Sequence, residues 1–292
     1  QQGLFGAPKV RLILGKQTHG TVAKAISLLG FGQASIEWVE CDKQGRIIVE
    51  KLPQLDPSCI LVLQAGNVNS GAFDDFTTLC QLANKAKTWV HIDGAFGLWA
   101  KASNVFDEQT KGMELADSWS VDPHKTLNTP YDCGIVLCKD AEALTSALHQ
   151  QGSYIQLSEQ RDGLLYTPEM SKRARAIELW AAMKYLGRSG IAELVEQLHG
   201  HAQLFTSLLS DNGFTILNEV VFNQVIISCE TEQLTQQTLS LVQQSGECWC
   251  GGSVWHEKSV IRISLCSWAT TQQDVLRSVN VFVEARKQAL QA

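Results

Sequence analysis

The sequence predicts an α/β protein: a largely parallel central sheet covered by helices, followed by a compact α+β unit. Three observations carry that prediction. Short β-rich runs alternate with longer helical patterns through the first half, as crossover-connected parallel strands do. Two of the runs, Cys59-Ile-Leu-Val-Leu and Cys133-Gly-Ile-Val-Leu-Cys, are continuously apolar, the pattern of strands covered on both faces. After a long helical stretch near residue 180, strand and helix patterns resume as a block of their own. Composition agrees, because 45% apolar residues in a chain of 292 supply a large core and 18% charged residues are too few for disorder.

In order along the chain, strands are expected at Arg11 to Gly15, Ser35 to Glu40, Cys59 to Gln64, Trp89 to Asp93, Ser118 to Val121 and Cys133 to Lys139. Thr21 to Leu29 and Asp74 to Lys87 repeat apolar residues at helical spacing and serve as crossovers. From Pro168 a helical stretch runs to Leu186, stops at Gly187 and resumes from Ile191 to Leu209. The last block reads as strands at Phe214 to Leu217, Gln224 to Cys229 and Val260 to Leu265, with helices over Glu232 to Gln244 and Thr271 to Ala289. The long helix thus bridges a large domain, residues 1–167, and a smaller one, residues 168–292.

Several function classes are excluded at this level. With 24 Lys plus Arg against 30 Asp plus Glu, the net charge of −6 argues against coating a nucleic acid. No apolar stretch reaches the roughly 18 to 20 residues of a membrane helix, and the first twenty residues carry no signal-peptide block. The nine cysteines include no CxxC pair, and Cys248-Trp249-Cys250 has the wrong spacing for a zinc or redox loop. A cytoplasmic chain with reduced thiols and no metal site is expected. Trp249, Trp255 and Trp268 are assigned to the core of the small domain.

The chemistry is concentrated in Trp89-Val-His-Ile-Asp-Gly-Ala-Phe-Gly and Ala116-Asp-Ser-Trp-Ser-Val-Asp-Pro-His-Lys-Thr-Leu. An apolar strand ending in Asp93, then Gly94 and Ala95, puts a carboxylate at the carboxyl edge of the sheet beside room for a flat ligand, where open α/β sheets bind. The strand Ser118 to Val121 ends in Asp-Pro-His-Lys and delivers Lys125 to the same edge, 32 residues on. Alone, Asp93 is an ordinary capping residue and Lys125 a solvated one; together they suit pyridoxal phosphate. A lysine amine forms the Schiff base, and a carboxylate keeps the pyridine nitrogen protonated so that the ring withdraws electrons. His19, after the first strand, could stack on the ring, and His124 precedes the lysine.

These phrases, with Tyr131-Asp-Cys-Gly, Gln17-Thr-His-Gly-Thr-Val-Ala-Lys-Ala, Gly66-Asn-Val-Asn-Ser-Gly-Ala-Phe-Asp, Ser171-Lys-Arg-Ala-Arg and Arg262-Ile-Ser-Leu-Cys-Ser-Trp, resemble the group II pyridoxal-phosphate-dependent decarboxylases. That family includes aromatic amino acid, glutamate and histidine decarboxylases. The resemblance runs through essentially the whole chain. It implies the fold-type I architecture of the aspartate aminotransferase-like enzymes, a homodimer with its active site at the subunit interface, and decarboxylation of an L-amino acid, aromatic or acidic, to an amine and carbon dioxide.

Residue by residue, the resemblance implies that Lys125 carries the cofactor and Asp93 pairs with the pyridinium nitrogen. His19 would stack on the ring near the substrate carboxylate, with Ala95 beneath the opposite face. His124 would help hold the phosphate, Asn67 or Asn69 would lie near cofactor or substrate, and Arg175 matches a family arginine on the interdomain helix. A loop from about Ser153 to Thr167 matches the family's mobile catalytic loop, in which Tyr154 and Tyr166 are both candidates to protonate the carbanion. The family's phosphate-gripping Ser/Thr-Gly turn would lie upstream of Leu4-Phe-Gly-Ala-Pro-Lys, so an N-terminally incomplete relative is expected. The alternatives are a non-catalytic relative keeping the fold as an interaction protein, and an aminotransferase or carbon-carbon lyase.

Overall fold

A computed structural model describes residues 3–148, 153, 158 and 161–291. Its first half runs α1 (Gly3–Gly6), β1 (Arg11–Gly15), α2 (Gly20–Leu28), β2 (Ile36–Val39), β3 (Cys59–Gln64), α3 (Phe76–Lys85), β4 (Trp89–Asp93), α4 (Asp107–Thr110), β5 (Ser118–Val121), α5 (Pro123–Thr126), β6 (Ile135–Cys138) and α6 (Ala141–Leu148). The strands form one sheet in the order β2-β1-β3-β4-β5-β6, parallel throughout except for the antiparallel β5–β6 pair. The carboxyl ends of β1, β3, β4 and β5 therefore lie side by side.

Sequence explains the layers. Phe76, Leu79, Cys80 and Ala83 fall at i, i+3, i+4 and i+7 of α3, all buried, and Asp75 caps that helix by accepting from the Thr78 amide at 3.0 Å. This stripe packs with Leu61, Leu63, Val90 and Ile92 on one face of the sheet. On the other face, Ala23 and Ile26 of α2 cover Leu12, Leu14 and Val62.

The second half contains α7 (Ala176–Asp211), which breaks at Gly187 (φ 62°, ψ −174°) where the sequence places a stop, then β7 (Thr215–Ile216), β8 (Gln224–Ser228), α8 (Glu232–Gln244), β9 (Gly251–Trp255), β10 (Lys258–Ser264) and α9 (Gln272–Gln291). Its sheet has the order β7-β8-β10-β9 and is antiparallel throughout. Leu198, Leu209, Val225, Ile227, Ile261 and Phe282 make its core with α7, α8 and α9. Phe222, fully buried, reaches from this half into the first. It meets Phe73 and Phe106 edge-on at 5.7 and 5.1 Å and stacks on Phe96 at 6.1 Å.

Four sequence expectations need correction. The apolar run at Cys133 to Cys138 is not covered on both faces: β6 is an edge strand with Val136 49% and Leu137 48% exposed. The helix expected from Pro168 begins at Ala176, because Arg173 donates to the Tyr131 carbonyl and Arg175 to Asp132, which draws residues 171–175 across the 131–133 loop instead of into a helical turn. Strand β9 was not foreseen; its two glycines weaken the strand signal, and its hairpin turns through His256 and Glu257, both at positive φ, in place of the usual Asn-Gly. Trp255 is core at 3% exposure, but Trp249 and Trp268 are 79% and 67% exposed, since both lie in connections and not on a packed face.

Candidate active site

Alternation along β4 sends Val90 and Ile92 into the α3 core, and Trp89, His91 and Asp93 to the opposite face. Asp93 sits between β3 and β5, in register with Gln64 and Ser120. Its Oδ1 accepts from the Ala95 amide at 3.2 Å, and its Oδ2 carries no hydrogen bond among the described residues. Beneath it, His91 contacts the Ser118 and Ser120 hydroxyls at 2.9 and 3.3 Å, and burial pushes this imidazole below its usual range.

Two bonds lock the Lys125 turn to the Asp93 turn. The Asp122 amide donates to the Ala95 carbonyl at 2.9 Å, and the buried Thr126 hydroxyl donates to the Phe96 carbonyl at 3.0 Å. Pro123 opens α5, where a missing N–H costs nothing and its fixed φ suits the first helical position. Lys125 Nζ lies 3.0 Å from Asp122 Oδ2. His124 is held by the Cys133 backbone, whose N–H and carbonyl lie 3.1 and 2.7 Å from Nδ1, and by the Tyr131 ring at 4.1 Å between centroids.

The neighbouring strand ends complete one edge. His19 caps α2, exposed, and its Nδ1 takes the Thr21 hydroxyl at 2.7 Å and the Thr21 amide at 3.3 Å, so that Nε2 bears the proton and points away from the cap. Asn67, 1% exposed, accepts from the Asn69 and Ser70 amides at 2.9 and 3.1 Å and donates to the Gln17 carbonyl at 3.1 Å. It ties the His19 loop to the β3 turn and has its polar atoms spent inside the protein. Asn69 Oδ1 accepts from Ser253 at 2.7 Å, which joins that turn to β9. Gly66, at φ 89°, is a required glycine here, because a Cβ would stand 2.7 Å from the Phe96 ring.

The structure thus brings His19, Asn67, Asp93, Ala95, His124 and Lys125 to one edge. Arg175 stands apart, its Nε donating to Asp132 Oδ1 at 2.8 Å and holding that carboxyl below the usual range. Through the neighbouring Cys133 it braces the His124 loop. Tyr166 stacks under the Arg161 guanidinium at 4.1 Å, with no contact to the lysine turn among the described residues. Tyr154 lies outside the described residues. An open groove of about 620 Å³ lined by Ser103, Arg188 and Glu196 contains none of these groups.

One candidate was missed. Arg262 on β10 donates to the Val68 carbonyl at 3.0 Å, and its buried Nε has no partner among the described residues. Four residues on, the Cys266 carbonyl accepts from Asn128 Nδ2 at 2.8 Å, and the Trp268 amide donates to Asn128 Oδ1 at 2.8 Å. This strand end therefore borders both the Asn67 turn and the lysine turn. The usable signal was a lone Arg amid the apolar residues of Ser259-Val-Ile-Arg-Ile-Ser-Leu.

A carboxylate and a primary amine locked together at the carboxyl edge of a parallel sheet define the class of enzyme site that holds an aldehyde cofactor on lysine. The pyridoxal-dependent decarboxylase conserved domain matches residues 7–229, and the chain belongs to that family. Over 285 residues it is 27% identical to the aromatic-L-amino-acid decarboxylase of Bacillus atrophaeus, covering 89% of this chain and 59% of that one. Over 234 residues it is 26% identical to the acidic amino acid decarboxylase GADL1 of Xenopus tropicalis, covering 75% and 46%. The crystal structure of Oryza sativa TDC with PLP and tryptamine superposes with a TM-score of 0.86 at 21% identity, over 96% of this chain and 63% of that one. The fold is that of the fold-type I pyridoxal-phosphate enzymes. The chain spans about half the length of the curated relatives it matches.

Proposed function

We propose that this chain carries the catalytic core of a pyridoxal-phosphate-dependent decarboxylase that converts an aromatic or acidic L-amino acid to its amine and carbon dioxide. The observation that carries the reading is that the turn after β4, which follows Asp93, and the turn after β5, which carries Lys125 on α5, are joined by the Asp122–Ala95 and Thr126–Phe96 bonds. The donor set fits the cofactor: a carboxylate with one oxygen unspent, a primary amine, and an imidazole whose orientation is fixed by backbone. When bound, pyridoxal phosphate supplies an electron-withdrawing ring that takes up the electron pair left at Cα as carbon dioxide departs.

The protein's own residues do the rest. Asp93 would hold a proton on the ring nitrogen, and Lys125 would hold the cofactor carbon. His19 and Ala95 would face the ring from its two sides, His124 would contribute to the phosphate site, and Asn67 would keep the His19 loop in place. Arg262, with an unspent buried donor, would bind a substrate carboxylate. Asn69, Arg175, Tyr166 and Tyr154 remain our candidates for substrate contacts from the surrounding loops. Residues 168–292 form the small domain in this reading. Exposed Ile177, Trp180 and Tyr185 at the start of α7 support a homodimer with its site at the subunit interface. The absence of a membrane-crossing helix and of disulfides among the described residues supports a cytoplasmic setting.

The test is borohydride trapping of pyridoxal phosphate, with the adduct located by peptide mass. A label on Lys125, lost in Lys125→Ala, together with amine and carbon dioxide release from an amino-acid panel, is expected. Equal labelling patterns in the two proteins would sink the proposal.

A further inference from the structure

Asn128 follows the lysine turn at φ 50°, in the left-handed region that asparagine, with its short polar side chain, enters more readily than most residues. Its backbone N–H and its Nδ2 both donate to the Lys125 carbonyl, at 3.1 and 3.0 Å. Nδ2 also donates to the Cys266 carbonyl at 2.8 Å, and Oδ1 accepts from the Trp268 amide at 2.8 Å. One carboxamide thus spends its nitrogen and its oxygen on backbone, pairing with residues 266–268 as the peptide group of a neighbouring strand would. The chain upstream is fixed as well. Arg262 to Ser264 lie in the β8–β10 ladder, and Leu265 is bonded through its amide and its carbonyl to the buried Asn223, at 2.9 and 2.8 Å. A continuous, bonded span therefore runs from the Lys125 carbonyl to Arg262, and Asn128 is its link at the lysine end.

We propose that Asn128 is a positioning residue that sets the spacing between the Lys125 amine and the Arg262 guanidinium, and so the grip on a substrate that must reach both. The proposal rests on the functional reading above and goes beyond it. An α-amino acid enters such a site with its amine directed to the carbon that Lys125 holds and a carboxylate directed to Arg262. A guanidinium–carboxylate pair is strict about distance and plane, so a strand end that drifts weakens that pair first. Both ends of the bridge have anchors of their own. Leu127 is buried in the apolar core of the C-terminal half, and Asn223 keeps Leu265 in place. Removing the Asn128 carboxamide therefore leaves the fold intact and loosens only the span. The expected loss is a factor of about ten in the hold on the amino acid, the scale of one such hydrogen bond.

The experiment uses the full chain, its Asn128→Gly, Asn128→Asp and Arg262→Gln variants and the Asn128→Gly, Arg262→Gln double variant, with thermal melts recorded for all. Glycine enters φ 50° without strain and removes every side-chain bond, whereas aspartate keeps the acceptor for Trp268 and loses both donated bonds. Each protein is loaded with pyridoxal phosphate and titrated with L-phenylalanine or L-glutamate, or with phenethylamine or propylamine, which lack the carboxylates. Borohydride then traps what remains on Lys125, read by peptide mass. The concentration that halves this label reports how well each compound displaces the lysine, and it requires no turnover. Asn128→Gly is expected to raise that concentration about tenfold for the amino acid, with Asn128→Asp between it and wild type, and to leave the carboxylate-free amines unchanged. In the Arg262→Gln background it adds no further loss, because the two residues act as one unit. Equal values in wild type and in whichever Asn128 variant melts normally overturn the role of Asn128 while leaving the decarboxylase reading intact. A loss shared by the carboxylate-free amines, or one that persists in full without Arg262, also overturns it, because Asn128 would then act on the lysine turn alone. Early melting of both Asn128 variants overturns it too, since the link would then hold the fold and not the spacing. No label on Lys125, or a label that no amino acid displaces, overturns both readings.

Discussion

Asp74 is fully buried, and its two oxygens accept from the Ile47 and Gln64 amides, each at 2.7 Å. It pins the 42–49 loop to the end of β3, beside the turn that carries Asn67. Burial pushes its carboxyl from the ordinary 3.8 up to about 6, against the two backbone bonds that favour the charge. The sign follows from proton counting. Between pH 3.8 and 6 the unfolded chain has released this proton and the folded chain keeps it, so the unfolded state binds fewer protons and stability falls as pH rises. The contribution is fully present below 3.8 and lost above 6, and the shift of about two units is worth about 3 kcal/mol. Asp74→Asn removes the titration. The amide accepts only one of the two N–H groups, a pH-independent cost of about 1 to 3 kcal/mol. Urea unfolding of both proteins, followed by tryptophan fluorescence from pH 4 to 7.5, isolates the effect because all other groups cancel in the difference. The variant is expected to gain about 2.4 kcal/mol relative to wild type across that range, since at pH 4 the unfolded carboxyl is already partly ionised. Parallel stability curves would refute the assignment of a raised carboxyl to Asp74.

Three other outcomes are expected. Phe222→Ala empties the place where Phe73, Phe96 and Phe106 converge and costs about 3 to 5 kcal/mol, read as a fall in the urea midpoint. Gly97→Ala puts a Cβ 2.2 Å from the Ala65 carbonyl oxygen and forces the Phe96 turn off β3, costing about 1 to 3 kcal/mol and lowering the trapped label on Lys125. Arg262→Gln leaves label formation on Lys125 intact but reduces amine release at least tenfold, measured as kcat/KM on the amino-acid panel.

Much of the edge that holds these groups was legible in the sequence. β1, β3, β4 and β5 have the bounds expected of them, so that Asp93 is the last residue of β4 and Lys125 lies on α5, four residues past the end of β5. What sequence could not supply was the partner of each side chain. Asn67 follows a strand as a ligand-contacting residue would, but only the fold reveals that the Gln17 carbonyl and two local amides consume it. Arg175 was placed on a helix, yet it precedes the helix because Asp132, 43 residues away in sequence, captures it. The buried Nε of Arg262 is likewise a product of long-range packing against Val68. Apolar composition gave β6 the look of an interior strand, and its edge position depends on strand order, which periodicity does not encode.

Leu127, two residues beyond Lys125, is 6% exposed and packs among the apolar residues of the C-terminal half, with Leu198, Ile261 and Ile263. The nucleophile is thus attached by its amino side to one sheet and by its carboxyl side to the other half's interior. Cutting the chain before α7 would preserve every strand that delivers Asp93 and Lys125 and still leave the lysine turn unmoored at one end. A split protein should regain a fixed lysine only when its two pieces reassemble, which makes the reactivity of a single amine a gauge of whether the halves are joined.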